Sequence, residues 1–136
     1  NNKNMKKATL LLIFSFISLI SFSQSRIGST ANDIKEEFSD NVYNLKSGYD
    51  KDGDYYIKID EKRATVLYYF NENKLCYMTI ISPDNQGALN WYVERYNKLY
   101  VITSSTTWKM YSEYGVSNIE LFYPKGGGYM FIWKKD

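Results

Sequence analysis

A β-branched and aromatic hairpin running straight into an amphipathic helix sets most of what this chain can become. Residues 63–70 read Arg-Ala-Thr-Val-Leu-Tyr-Tyr-Phe, the polar residues Asn71, Glu72, Asn73 and Lys74 follow, and residues 75–81 read Leu-Cys-Tyr-Met-Thr-Ile-Ile. Two such runs joined by a polar turn predict an antiparallel hairpin. Ser82, Pro83, Asp84 and Asn85 then open a helix that the pattern carries from about Asp84 to Leu99. Leu89, Tyr92, Val93, Tyr96, Leu99 and Tyr100 fall on one stripe of it, at the spacing of a core-facing helix. Glu94 and Lys98 form a favourable i,i+4 pair outside the stripe. Trp91 lies on the opposite side, where so large an apolar ring is out of place. Either a loop or terminus covers it, which is the usual fate of such residues, or it is a contact residue.

The remaining elements fall on either side of this unit. Thr30 and Asp33 have capping-box spacing with the shorter acid, and predict a short helix whose Ile34 and Phe38 face a core. Residues 42–45 are read as extended, 47–54 as a loop rich in Gly and Asp, and 55–59 as a strand. Residues 102–107 are read as a loop running into an extended segment at 108–111. Strands are expected at 119–123 and 129–133, with Gly126, Gly127 and Gly128 permitting positive φ in the turn between them.

The first 23 residues read differently. Met5, Lys6 and Lys7 form a short basic region, residues 8–20 are apolar except for Thr and Ser, and Ser21 and Ser23 place small residues at −3 and −1 before Gln24. That is the pattern of a secretory signal peptide, with Asn1 to Asn4 lying upstream of the start Met5. The apolar run is short for a bilayer span, which weighs against the alternative of an uncleaved anchor. The expectation is a cleaved signal over 1–23 and one α+β domain over 24–136, exported to the periplasm or secreted. Loss of residues 1–23 removes three lysines and no acid, so Lys+Arg falls from 17 to 14 against 15 acids and the net charge moves from +2 to −1. A near-neutral domain offers no electrostatic footprint for nucleic acid or for an anionic membrane. Cys76 is the only cysteine, so no internal disulfide can form and the domain must rest on its own core. The 14 Tyr, 7 Phe and 3 Trp supply much of that core.

A shift of 53 residues lays Val66, Tyr68 and Phe70 over Ile119, Leu121 and Tyr123, and Cys76 over Tyr129. The expected architecture is therefore two halves, each a helix plus three strands, in one antiparallel sheet with both helices on one face. Alternation assigns Ile119, Leu121, Tyr123, Val66, Tyr68, Phe70, Cys76, Met78, Ile80, Tyr129, Phe131 and Trp133 to the helix face. Leu67, Tyr69, Leu75, Tyr77, Phe122, Met130 and Ile132 fall on the other face, which is unusually apolar for a solvated surface. The opening at Gly28, Ser29, Thr30, Ile34 and Phe38, together with the hairpins at 66–80 and 119–133, resembles the tandem helix-plus-sheet fold of the secreted β-lactamase inhibitor proteins. A single half is similar to the small domain of SmpA-type outer-membrane assembly lipoproteins. The chain has neither the inhibitors' disulfides nor the lipoproteins' anchoring cysteine, and the resemblance transfers no functional residue. It is also similar to small exported bacterial proteins of the Bacteroidetes, whose signal peptides often end in Ser-Gln.

The chain contains no His, which removes His-based triads, most catalytic zinc sites and the usual general base. Cys76 lies mid-strand on the expected core face and reads as a small buried hydrophobe. No phosphate-binding loop or dinucleotide fingerprint occurs. Asp50, Asp52 and Asp54 have acids at alternate positions, but Gly53 comes fourth where a calcium loop needs it sixth, so an acidic turn is the better reading. Asp60 and Glu61 are adjacent and would point to opposite faces, a poor acid/base pair. The expectation is a non-enzymatic domain without cofactor or metal. Its candidate contact residues are Tyr69, Tyr77, Phe122, Met130, Ile132 and Trp91, used to recognise a protein partner, as an inhibitor- or immunity-type protein does. The alternatives are a self-associating envelope protein and, with least support, a carboxylate-dependent enzyme acting on glycans.

Overall fold

The computed structural model describes residues 25–136 apart from Tyr114; the expected signal segment lies outside the described residues. Two helices and one continuous eight-stranded sheet form the architecture, which is α+β and dominated by the sheet. The elements in chain order are α1 (Ala31–Glu37), a 3₁₀ turn (Asn41–Tyr43), β1 (Lys46–Tyr49), β2 (Tyr55–Asp60), β3 (Ala64–Phe70), β4 (Cys76–Pro83), α2 (Gln86–Leu99), β5 (Val101–Ser104), β6 (Thr107–Ser112), β7 (Gly115–Phe122) and β8 (Met130–Lys135). The strand order is β1-β2-β3-β4-β8-β7-β6-β5, antiparallel throughout.

Each helix is thus followed by a four-strand meander, and the meanders meet at β4 and β8. The expectation of three strands per half is corrected by β1 and β5, the two edge strands. Their burial explains why alternation missed them: β5 is exposed along its whole length and β1 at all but one position. Backbone pairing alone makes these strands, and it leaves no hydrophobic period to read.

Local chemistry accounts for the helix starts. Thr30 Oγ1 accepts from the Asp33 amide at 3.1 Å, and Asn85 Oδ1 accepts from the Ala88 amide at 2.8 Å. Both are N-caps that satisfy an otherwise orphaned donor. Ile34 of α1 and Phe38 at its C-cap are buried, as are Leu89, Tyr92 and Tyr96 of α2, whereas Leu99 is 47% exposed. Both helices lie on one face of the sheet: Phe38 stacks on Tyr68 of β3, and Tyr92 and Tyr96 pack on Phe131 of β8.

Tyr96 is the hub. Its ring lies within 5.9 Å, centroid to centroid, of Tyr92, Tyr100, Trp108, Phe131 and Trp133. Its hydroxyl accepts from Trp133 Nε1 at 3.3 Å, so the polar tip is not stranded in the core. Burial holds the Tyr96 phenol well above its usual pKa.

A β-bulge in the β3–β4 hairpin corrects part of the face assignment. Phe70 pairs with Cys76 but Tyr69 pairs with Met78, so Tyr77 is the extra residue. The turn that sets this register is held by Asn71 Oδ1, which accepts from the amides of Asn73 and Leu75, with Lys74 at φ 59°. Beyond the bulge the alternation inverts. Thr79 and Ile81 enter the core at 0% and 2% exposure, and the expected core residues Met78 and Ile80 turn to the other face. Tyr123 is a second correction: β7 ends at Phe122, and Tyr123 is 56% exposed. Val66, Tyr68, Phe70, Cys76, Ile119, Leu121, Phe131 and Trp133 are buried as alternation required.

Residues before α1 are pinned to the start of β4. The Gly28 amide donates to the Cys76 carbonyl at 2.7 Å, the Cys76 amide donates to the Ser29 carbonyl at 2.8 Å, and the Thr79 hydroxyl donates to the Ser25 carbonyl. Arg26 pairs with Glu37 of α1 and lies over the Phe38 ring. Thr79 therefore sits in the core with its hydroxyl satisfied.

Candidate functional site

The face away from the helices is built by the residues alternating with the core. In one row across the sheet Lys58, Leu67, Ile80, Ile132 and Glu120 are successive register partners, and in the next Tyr56, Tyr69, Met78 and Lys134. Met130 and Phe122 pair beside them. The centre is therefore aliphatic, one flank is tyrosine, and Lys58, Lys134 and Glu120 stand at the margins. No described helix or loop is packed over this surface. Tyr77 is 40% exposed and Phe122 43%, whereas Leu67, Tyr69, Met78, Ile80, Met130 and Ile132 are half-buried against their own neighbours.

The tyrosine flank has its own electrostatics. Tyr56 and Tyr69 are in ring contact at 6.2 Å. Desolvation, followed by the charges of Asp50 and Asp54, raises the phenols of Tyr69 and Tyr77 above their ordinary pKa. The same aspartates close the β1–β2 turn. Asp50 Oδ1 accepts from the amides of Asp52 and Asp54 at 2.9 Å each, with Gly53 at φ 83°. That carboxylate is occupied in shaping a turn. Among the described residues no group of three or more His, Cys, Asp or Glu side chains is placed to hold a metal ion.

No protein-family model matches the chain, and no curated protein and no solved structure matches it significantly. The geometry of its surfaces therefore carries the functional argument.

The six candidate contact residues divide between two surfaces. Tyr69, Tyr77, Phe122, Met130 and Ile132 share the open face. Trp91 belongs to α2, in the layer on the other side of the sheet. It is half-buried, and a residue of the β2–β3 turn lies over it: the Arg63 guanidinium is 4.3 Å from its ring centroid, and that of Arg95, from α2 itself, 5.2 Å.

The sequence reading missed Tyr56, Met78 and Ile80 on the open face, and Arg63 and Arg95 at Trp91. Tyr56 was legible, since it alternates with the core residues Ile57 and Ile59. Arg95 was legible too, one helical turn from Trp91. Met78 and Ile80 were hidden by the bulge.

The groups capable of covalent or acid–base chemistry lie apart. Cys76 is 2% exposed, its Sγ lies 3.5 Å from Thr79 Oγ1, and burial pushes its thiol up to about 11. A thiol so raised is a poor nucleophile. Asp60 accepts from Asn44 Nδ2 at 3.1 Å and pairs in register with Thr65 on the open-face side. Glu61 feels Arg26 and Glu37 on the helix side, and desolvation raises its carboxyl above the ordinary range. Among the described residues no helix is long and apolar enough to cross a membrane.

Proposed function

We propose that this chain is an exported, non-catalytic binding domain that recognises a protein partner through the open face of its sheet, as inhibitor- and immunity-type proteins do. The observation that carries this reading is the uncovered aliphatic and tyrosine surface spanning β2, β3, β4 and β8. Leu67, Ile80 and Ile132 form its centre, Tyr56, Tyr69 and Met78 lie beside them, and Tyr77 and Phe122 are the most exposed. Tyrosine and methionine suit such a surface: tyrosine offers large contact area at small entropic cost, and methionine adapts to an irregular partner. The marginal lysines and Glu120 supply a polar rim around an apolar centre, the usual anatomy of a protein interface. The absence of His from the sequence, the buried Cys76 and the divergent Asp60 and Glu61 support a role without catalysis.

The test is capture from the organism's own envelope and secreted fractions with three baits: the native chain, a Tyr69→Ala/Tyr77→Ala variant, and a helix-side Glu36→Gln control. A specific partner should be retained by the native chain and the control and lost by the double variant. Partner retention by all three baits would overturn the assignment. Light scattering over a concentration series addresses self-association: a stable homodimer broken by the same double variant would replace the foreign partner with a second copy.

A further inference from the structure

On the side of the molecule away from the open face, the Arg63, Trp91 and Arg95 side chains form a compact cationic and aromatic cluster. Arg63 closes the β2–β3 turn, and its carbonyl accepts from the Asp84 amide at 2.8 Å just ahead of α2. That bond ties the turn to the helix start and brings Arg63 over Trp91, while Arg95 reaches back from the next turn of the helix. Both guanidinium carbons lie within 5.2 Å of one indole centroid.

Among the described residues the ion pairs are Arg26–Glu37 and Lys109–Asp136, so neither Arg63 nor Arg95 has a carboxylate partner. Arg95 Nε is buried without a hydrogen-bond partner. A guanidinium lying over an aromatic ring keeps its terminal N–H groups for other partners, and these match a carboxylate; at Arg95 that leaves the terminal nitrogens, since Nε is buried. Beside the cluster lies a shallow depression lined by Trp91, Glu94, Arg95, Lys98 and Leu99. Its walls offer the indole and the half-exposed Leu99 as apolar surface, and two cations against a single acid.

We infer that the Arg63–Trp91–Arg95 cluster is a binding site for an acidic peptide segment, one whose Asp or Glu carboxylate pairs with the terminal N–H groups of the two guanidinia while an adjacent apolar side chain rests in the depression, against Leu99 and the part of Trp91 that lines it. Charge complementarity selects the carboxylate. The small size of the cluster and the near-neutral charge of residues 24–136 disfavour an extended polyanion, which needs a broad basic surface. The site is independent of the open sheet face, and either can fail without the other.

Trp91 reports on it directly. The indole N–H of Trp108 is bonded to Asn97, that of Trp133 to Tyr96, and both rings are buried, so a titration followed by tryptophan indole resonances separates the three. The probes are acetyl-Glu-Phe-amide, its Gln counterpart and inorganic phosphate. The Glu peptide should shift the Trp91 resonance saturably and bind about tenfold more tightly than the Gln peptide. Arg63→Gln and Arg95→Gln should each weaken it severalfold, with the Trp108 and Trp133 resonances unchanged as proof of folding. Lysine at either position should restore little of the loss, because an ammonium lacks the planar fork. Absence of a saturable Trp91 shift, equal binding of the two peptides, or undiminished binding by the glutamine variants would overturn the inference. Phosphate binding as tight as that of the Glu peptide would overturn the peptide assignment in favour of a site for a free oxyanion.

Discussion

The two faces of the sheet are made of similar residues and do different work. Phe131 and Ile132 are neighbours on β8. Phe131 is fully buried, with ring centroids 5.7 Å from Tyr92, 4.9 Å from Tyr96 and 6.0 Å from Trp108. Ile132 sits between Ile80 and Glu120 on the face no described element covers, and it is only half-buried. The helix face is closed by α1 and α2 over its centre, so rings such as Tyr96 and Phe131 gain contacts from helix and sheet alike. On the open face a side chain gains only its in-plane neighbours. Hydrophobicity along the chain does not distinguish the two; the presence of a second layer does. Stability therefore resides mainly on one face, and changes on the other cost the fold less.

The sharpest way to break this comparison is to truncate adjacent residues. Phe131→Ala should cost about 3–5 kcal/mol, as deletion of a buried ring does. Ile132→Ala should cost roughly 1–2 kcal/mol, in proportion to the smaller apolar area it keeps from water. Chemical denaturation of both variants reads the difference, and equal losses would mean that the two faces are equally packed.

The pair Leu121 and Phe122 on β7 repeats the test at a second site. Leu121, 7% exposed, should cost about 2–5 kcal/mol on replacement by Ala. Phe122, 43% exposed, should cost at most about 0.5 kcal/mol despite its larger side chain. A Phe122→Ala loss exceeding that of Leu121→Ala would invert the faces of β7.

Cys76 sharpens the comparison on the core side of the bulge. Cys76→Ser should lower stability by about 1–2 kcal/mol, because a buried thiol gives way to a more strongly hydrated hydroxyl. Native Cys76 should resist thiol reagents until the protein unfolds, as its 2% exposure and raised pKa require. Rapid labelling of the native protein would remove Cys76 from the core.

The smallest effect concerns Glu61, on the helix side of the β2–β3 turn. Its folded pKa is raised, with desolvation the largest cause, so the folded state binds more protons than the unfolded state between the two pKa values. Stability from this group is present below the unfolded pKa and is lost as pH rises through the folded one. Glu61→Gln should therefore raise stability at neutral pH, and the gain should vanish in acid. A destabilised Glu61→Gln protein at pH 7 would show instead that the attraction of the Arg26 charge outweighs the burial.

Some of this protein was settled by the chain before any folding. The caps at Thr30 and Asn85, the stripe on α2, the hairpin at its centre and the alternation through β3 and β7 are local properties. A residue's propensity and its neighbours at i+2, i+3 or i+4 suffice to establish them. The mixed α+β class, the single helix-covered face and the opposite orientations of Tyr68 and Tyr69 follow from that local information. The composition also bounded the chemistry, since a chain without His and with one Cys has few catalytic groups to assemble.

Tertiary structure decided the rest. One extra residue at Tyr77 exchanged Met78 and Ile80 for Thr79 and Ile81, because a bulge is a property of two paired strands and alternation along one strand cannot register it. The edge strands β1 and β5 exist through backbone hydrogen bonds to β2 and β6, which leave no mark on side-chain pattern. Trp91 found its cover in Arg63, 28 residues away in sequence, through a turn held against the helix start by the Arg63–Asp84 backbone bond. Contacts of that kind depend on how the turn meets the helix, and only the packed sheet and helices fix that meeting in space.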